Sequence, residues 1–186
     1  MKALIICERG LEECEALIVY DLLTRAKIET TLAGPTPTIT SSHNLTFNIN
    51  EPLGLVDPSK YDCLILPGGM PGTTNLENNK TIDELITHFV NNDKLIAAIC
   101  AAPSILIKKG LLKNNEFTCY PGFECGFEST DKKVTVHNNI ITANGLGSAI
   151  EFGLKIQLPT LGELSLQMFL QAISSEYENI FSRSLF

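Results

Sequence analysis

The chain has no tryptophan, only three histidines and no Cys-x-x-Cys pair, and no stretch of it is a basic run. Each absence removes a class of function. Without a Cys-x-x-Cys pair, neither a zinc knuckle nor a thioredoxin-type dithiol is indicated. The six cysteines (Cys7, Cys14, Cys63, Cys100, Cys119 and Cys125) are scattered through mostly apolar surroundings. They lack the density of a small secreted disulfide framework. Fourteen Lys and Arg stand against 21 Asp and Glu, a formal net charge of −7. Such a balance gives no electrostatic reason to expect nucleic acid or an anionic membrane surface as a partner. No apolar run approaches the roughly 20 residues that span a bilayer. Met1-Lys2 leads straight into a short strand-like run instead of a signal peptide. The expected compartment is the reducing cytoplasm, with the sequons at Asn44 and Asn79 unused.

Nucleotide chemistry is disfavoured in the same way. Neither a Gly-x-Gly-x-x-Gly fingerprint after the first strand nor a Walker-type Lys-Ser/Thr is present. The first strand–helix turn carries Glu12, Glu13 and Glu15, which would repel a phosphate. None of His43, His88 and His137 lies near Cys100 in sequence, so no Cys–His hydrolytic pair is visible. His43 reaches a site only if residues 36–50 fold back.

What is present is a hydrophobic content of 44% over 186 residues, enough for one domain with a sizeable core. Strand-like and helical patterns alternate with no linker and no repeat. Strands are predicted over 2–7, 29–33, 61–66, 95–99 and 140–143, with a short β-excursion in 36–50 and a hairpin turn at 137–140. Helices are predicted over 11–25, 81–90, 104–109, about 148–157 and from about Gly162. The segment Phe117-Thr-Cys-Tyr-Pro-Gly is expected to begin as a strand and become a loop at Pro121. This is the pattern of an α/β sandwich on a mainly parallel sheet, read as a single domain over 1–186.

Open α/β sheets place their sites at the carboxyl ends of strands. Three features fall on that edge: the turn after the first strand, Pro67-Gly68-Gly69, and Cys100. In Leu95-Ile-Ala-Ala-Ile-Cys-Ala-Ala-Pro103 an apolar strand runs into a cysteine, small residues and a helix start. That is a nucleophile elbow. Turn N–H groups and the helix dipole are expected to favour the Cys100 thiolate, although most free cysteines are buried hydrophobes. Glu15 is either a solvated helix-start carboxylate or, if buried, a protonated partner of the thiol. Gly68 and Gly69 suit a tight turn, and the N–H groups of Gly69 and Ala101 suit an oxyanion hole. Packing and a turn are the favoured reading of Tyr120 and Cys119, with pocket residues, and a resolving thiol at Cys119, as the alternative.

Four motifs carry a family resemblance over about residues 1–158: Gly10-Leu-Glu-Glu-Cys-Glu15, Tyr61-Asp-Cys-Leu-Ile-Leu-Pro-Gly-Gly69, Ile96-Ala-Ala-Ile-Cys-Ala-Ala-Pro103 and Gly145-Leu-Gly-Ser-Ala-Ile-Glu-Phe-Gly-Leu-Lys155. Together they resemble the ThiJ/PfpI superfamily, in the branch of the human parkinsonism-associated protein deglycase and the bacterial ThiJ-like proteins. The resemblance implies a flavodoxin-like three-layer α/β/α sandwich and a homodimer with the first helix, near Cys14, as the contact. It implies Cys100 as catalytic cysteine, Glu15 as its protonated acid and Gly69 in the oxyanion pocket, with no metal and no cofactor. The implied activity is glyoxalase or deglycase chemistry on methylglyoxal-like α-oxoaldehydes or glycated adducts, with protection against oxidative stress. The alternative is a redox-sensing stress or chaperone protein whose cysteine goes to sulfinate. Ala101 stands where a protease-like branch has His, which speaks against peptidase activity. Tyr120 stands where some relatives bring a His, and Leu146 where close relatives have proline.

Overall fold

The computed structural model describes residues 1–160 and 162. Beyond Gly162, the last predicted helix lies outside the described residues. The elements run β1 (Lys2–Ile6), α1 (Glu13–Arg25), β2 (Glu29–Gly34), β3 (Thr38–Thr40), β4 (Thr46–Asn48), β5 (Glu51–Pro52), β6 (Cys63–Leu66), α2 (Gly72–Asn78), α3 (Lys80–Asn91), β7 (Leu95–Ile99), α4 (Pro103–Lys108), β8 (Val134–His137) and β9 (Ile140–Ala143). A further helix, α5, covers 149–160. Among the described residues, no helix is long and apolar enough to cross a membrane.

The main sheet has the strand order β5-β2-β1-β6-β7-β9-β8. Every pairing in it is parallel except β8 with β9, the predicted hairpin. Strands β3 and β4 form a separate antiparallel pair, which is the excursion.

The central strands are continuous apolar runs because both their faces are covered. Side chains alternate across a strand, so β1 sends Leu4 and Ile6 to one side and Ala3 and Ile5 to the other. The first pair packs with Ile82, Ile86 and Phe89 of α3 and with Ile105 of α4. The second packs with Ala16, Val19 and Leu23 of α1 and with Phe152 and Ile156 of α5. This gives helices on both faces of a mainly parallel sheet. Phe89 and Phe152 are fully buried on opposite faces, each contributing roughly 2–3 kcal/mol of burial.

Two local expectations need correction. Residues 117–119 are not a strand. Their backbone is held by irregular bonds: Thr118 N–H donates to Thr142 Oγ1 at 2.9 Å, and Thr130 N–H to the Phe117 carbonyl at 2.8 Å. A helix also forms at Gly72–Asn78, ahead of the predicted 81–90 helix. Its start is fixed by the preceding turn, with Thr73 N–H donating to the Gly69 carbonyl at 2.8 Å.

Candidate functional site

Strands β1, β6 and β7 are consecutive neighbours and all parallel, so their carboxyl-end turns stand side by side. The first turn delivers Glu15 on α1, the second delivers Gly68 and Gly69, and the third delivers Cys100. The structure brings all of these together with Ala101.

Cys100 sits at the elbow with φ 64°, a left-handed conformation that is rare for a residue with a side chain. Its backbone is pinned on both sides: its N–H donates to the Ala143 carbonyl at 2.9 Å, and its carbonyl accepts from Tyr120 N–H at 2.7 Å. Strain held this firmly by its surroundings is typical of functional turns. Helix α4 then starts with Pro103, a favoured first helical residue.

Glu15 is 1% exposed. One of its oxygens, Oε2, accepts the Gly68 N–H at 2.9 Å, and the carboxyl shares a hydrogen bond with the Cys100 thiol. The N–H groups of Gly69 and Ala101 donate to the Cys100 sulfur. The two glycines are demanded by space. A Cβ on Gly68 would stand 2.5 Å from Cys100 Cβ and 2.8 Å from Glu15 Oε2; one on Gly69, whose φ is +88°, would stand 2.2 Å from Glu12 N.

Burial pushes the Glu15 carboxyl up to about 7, more strongly than its bonds with Cys100 and Gly68 pull it down. The thiol differs from the expectation of easy ionisation. Burial first, and then the charge and hydrogen bond of Glu15, push Cys100 up to about 12 against the pull of the Gly69 and Ala101 N–H groups. This value holds while Glu15 is an anion. A proton on Glu15 removes the repulsion and turns the carboxyl into a donor toward sulfur, so the two groups form a coupled pair. With the carboxyl at about 7 and the thiol at about 12, the carboxyl loses its proton first. Desolvation at the elbow outweighs the effect of turn N–H groups alone, and burial is not legible in a local motif.

Tyr120 and Cys119 part company. A Cβ placed on Gly145 would lie 3.5 Å from Tyr120 Cδ2, 3.9 Å from Cys100 Sγ and 4.0 Å from Glu15 Oε1. The tyrosine ring, the thiol and the carboxyl thus border one gap, and Tyr120 is about half exposed. Cys119 instead packs into the core with Leu112 and Phe117, and burial pushes its thiol up to about 12. It is a core residue, not part of the pocket. A separate groove of about 510 Å³, lined by Lys132, Val134 and Lys155 among others, contains none of the site residues.

The β3–β4 turn does fold back, but it sets His43 against Glu12 and Glu13 instead of Cys100. Sequence reasoning did not foresee this neighbourhood, because the partners lie 30 residues apart. It also passed over Gly145 as a wall of the gap, although Gly145 opens one of the four motifs.

Comparison with known proteins identifies the family and agrees with the fold. The DJ-1/PfpI family pattern matches residues 1–157. Drosophila melanogaster dj-1beta is 34% identical over 172 residues, covering 89% of this chain and 92% of that protein. A crystal structure of Drosophila melanogaster DJ-1beta superposes with a TM-score of 0.86 at 32% identity, covering 92% of this chain and 96% of that one. A Caenorhabditis elegans relative named glutathione-independent glyoxalase DJR-1.2 is 32% identical over 151 residues, covering 78% of this chain and 80% of that protein. Oxidized Toxoplasma gondii DJ-1 gives a TM-score of 0.86 at 30% identity, covering 92% and 97%. The chain belongs to the DJ-1/PfpI family.

Proposed function

We propose that the protein is a cofactor-independent thiol enzyme acting on small α-oxoaldehydes such as methylglyoxal, or on their adducts. The observation that carries this reading is the convergence of one thiol, one buried carboxyl and two backbone N–H groups on a single gap. The relative named as a glyoxalase supports the same class.

The Cys100 thiolate adds to the aldehyde carbon and forms a hemithioacetal. The N–H groups of Gly69 and Ala101, which face the sulfur, steady the developing alkoxide. Glu15 moves a proton from the former aldehyde carbon to the neighbouring oxygen, passing through an enediol. Reprotonation at the second carbon gives a thioester, which water cleaves to the hydroxy acid and the free thiol. The aldehyde carbon is oxidised and the ketone carbon reduced within one molecule, so no external oxidant or reductant enters. Neither nucleic acid nor membrane is part of this reading. The protein works in the cytoplasm as a homodimer joined through α1 near Cys14; a monomer by light scattering at micromolar concentration would remove that part.

The test is lactate formation from methylglyoxal in amine-free buffer. The native chain should produce it and Cys100→Ser should not. No lactate above the buffer blank rejects the reading. The oxidized state of one relative favours a second role as an oxidation sensor: two backbone N–H donors facing one sulfur suit a sulfinate. Peroxide titration followed by intact mass should then show one cysteine oxidising ahead of the others; simultaneous oxidation of all of them rejects it.

A further inference from the structure

We propose that Glu12, Glu13 and His43 form a binding site for a divalent first-row transition ion of the Zn²⁺ type, at the junction of α1 and the β3–β4 turn. The site shares no ligand with the Cys100 centre, and the inference does not depend on the proposed activity.

The geometry comes first. His43 Nδ1 stands 3.4 Å from Glu12 Oε2 and 3.1 Å from Glu13 Oε1. One ligand atom from each of the three residues falls within 4.8 Å of the other two. An ion held tetrahedrally at about 2.0–2.1 Å keeps its ligand atoms roughly 3.3–3.4 Å apart. The imidazole nitrogen is thus already near that spacing from each carboxylate. The Ser42 hydroxyl lies 3.2 Å from His43 Nδ1 and 3.4 Å from Glu12 Oε2.

The framework is held by the backbone as well as by side chains. Gly10 N–H donates to the Thr40 carbonyl at 2.9 Å, and Ser42 N–H to the Leu11 carbonyl at 2.8 Å. These bonds tie the turn carrying His43 to the loop that leads into α1. The side chains of Glu12 and Glu13 are 15% and 14% exposed, whereas that of His43 is 68% exposed. Two largely covered carboxylates side by side call for a cation, and the open imidazole leaves an entry path from solvent.

The donor set decides the class of ion. One imidazole nitrogen and two carboxylate oxygens suit Zn²⁺ or Co²⁺. Mg²⁺ demands a near-octahedral shell of oxygens and keeps its waters, so it fits poorly. The competing occupant is a proton on His43, which would make the cluster an ion pair and nothing more. The competing ligand is Cys14, exposed on the same turn.

The experiment is calorimetric titration of the full chain with Zn²⁺, and with Mg²⁺ as control. It compares the native protein with His43→Ala, Glu13→Gln and Cys14→Ser, each checked for folding by circular dichroism. The expected result is a Zn²⁺ site absent with Mg²⁺ and unchanged in Cys14→Ser. In His43→Ala and Glu13→Gln it should weaken by at least the roughly tenfold that losing even an outer partner costs. Absence of Zn²⁺ binding, or binding that survives both ligand substitutions, means an ion pair only and overturns the proposal. Binding lost in Cys14→Ser makes it a thiolate site and overturns it equally. Lactate formation by the same native sample is scored separately, so failure of one reading leaves the other standing.

Discussion

Glu13 and Glu15 share the first turn of one helix, two residues apart, and meet opposite surroundings. Positions two apart on a helix point to nearly opposite sides. Glu15 turns under the sheet edge, where burial raises its carboxyl to about 7. Glu13 turns toward the β3–β4 turn. There, burial also pushes it upward, but its own backbone N–H, the Ser41 hydroxyl and His43 prevail and hold it below the ordinary carboxylate range. His43 is raised in return, by its bond with Glu13 and the charges of Glu13 and Glu12. Residue type therefore does not decide whether an acid carries a proton or a charge in this helix. The direction it faces does. One face stores a proton beside a thiol; the other gathers negative charge around an imidazole.

The comparison breaks most severely if the Glu15 face loses its space. Gly68→Ala places a Cβ 2.5 Å from Cys100 Cβ and 2.9 Å from the Ile99 carbonyl. It should cost about 3 kcal/mol of stability, measured by urea unfolding. Gly54→Ala, where nothing lies within 4 Å of the new atom, should be close to neutral. Equal effects from the two would mean that the packing around Glu15 is looser than described.

Glu15→Gln sharpens the comparison through pH. A carboxyl raised from 4.5 to about 7 by folding binds more protons folded than unfolded across that interval. Stability from this group is thus fully present below the unfolded value and is lost as pH rises to about 7. The loss is on the order of 3 kcal/mol. Thermal unfolding should show the glutamine variant gaining on the native protein as pH rises through this window, with no further gain above it. A constant offset at every pH would remove the account of Glu15 as a buried acid.

The smallest effect belongs to the other face, with the opposite sign. Glu13 is lowered by folding, so its contribution is present above the unfolded value and is lost as pH falls through the folded one. His43→Ala should move the Glu13 titration, followed by NMR, back toward the ordinary carboxylate range. The accompanying stability change should be small and salt-sensitive, because His43 is exposed. A Glu13 titration unmoved by the substitution would assign its lowering to the backbone and Ser41 alone.

Much of this arrangement was readable from the chain. The runs Ala3–Ile6, Cys63–Leu66 and Leu95–Ile99 are apolar on both faces and could only be central strands, and adjacency of their ends follows from the topology. Cys100 and the Gly68-Gly69 turn were legible because each sits at a strand end with a distinctive local pattern, whereas a helix-start glutamate such as Glu15 reads as well as solvated and was singled out by the resemblance. Other features depend on what lies across space. Residues 117–119 look β-forming, but their N–H and carbonyl groups pair with Thr142 and Thr130 instead of a neighbouring strand. Cys119 follows them into the core, whereas Tyr120 emerges at the gap. The upward push on the Cys100 thiol reflects burial and the Glu15 charge, neither of which a strand–turn–helix motif reveals.

The most direct measurement is the rate of Cys100 alkylation by iodoacetamide as a function of pH, followed by intact mass in the native chain and in Glu15→Gln. The account predicts a midpoint well above that of an ordinary thiol in the native chain, because burial and the Glu15 charge hold the proton on sulfur. It also predicts a midpoint moved to lower pH in the variant, which lacks that charge. A native thiol that ionises as readily as an ordinary cysteine, or a midpoint that Glu15→Gln leaves in place or raises, would contradict it.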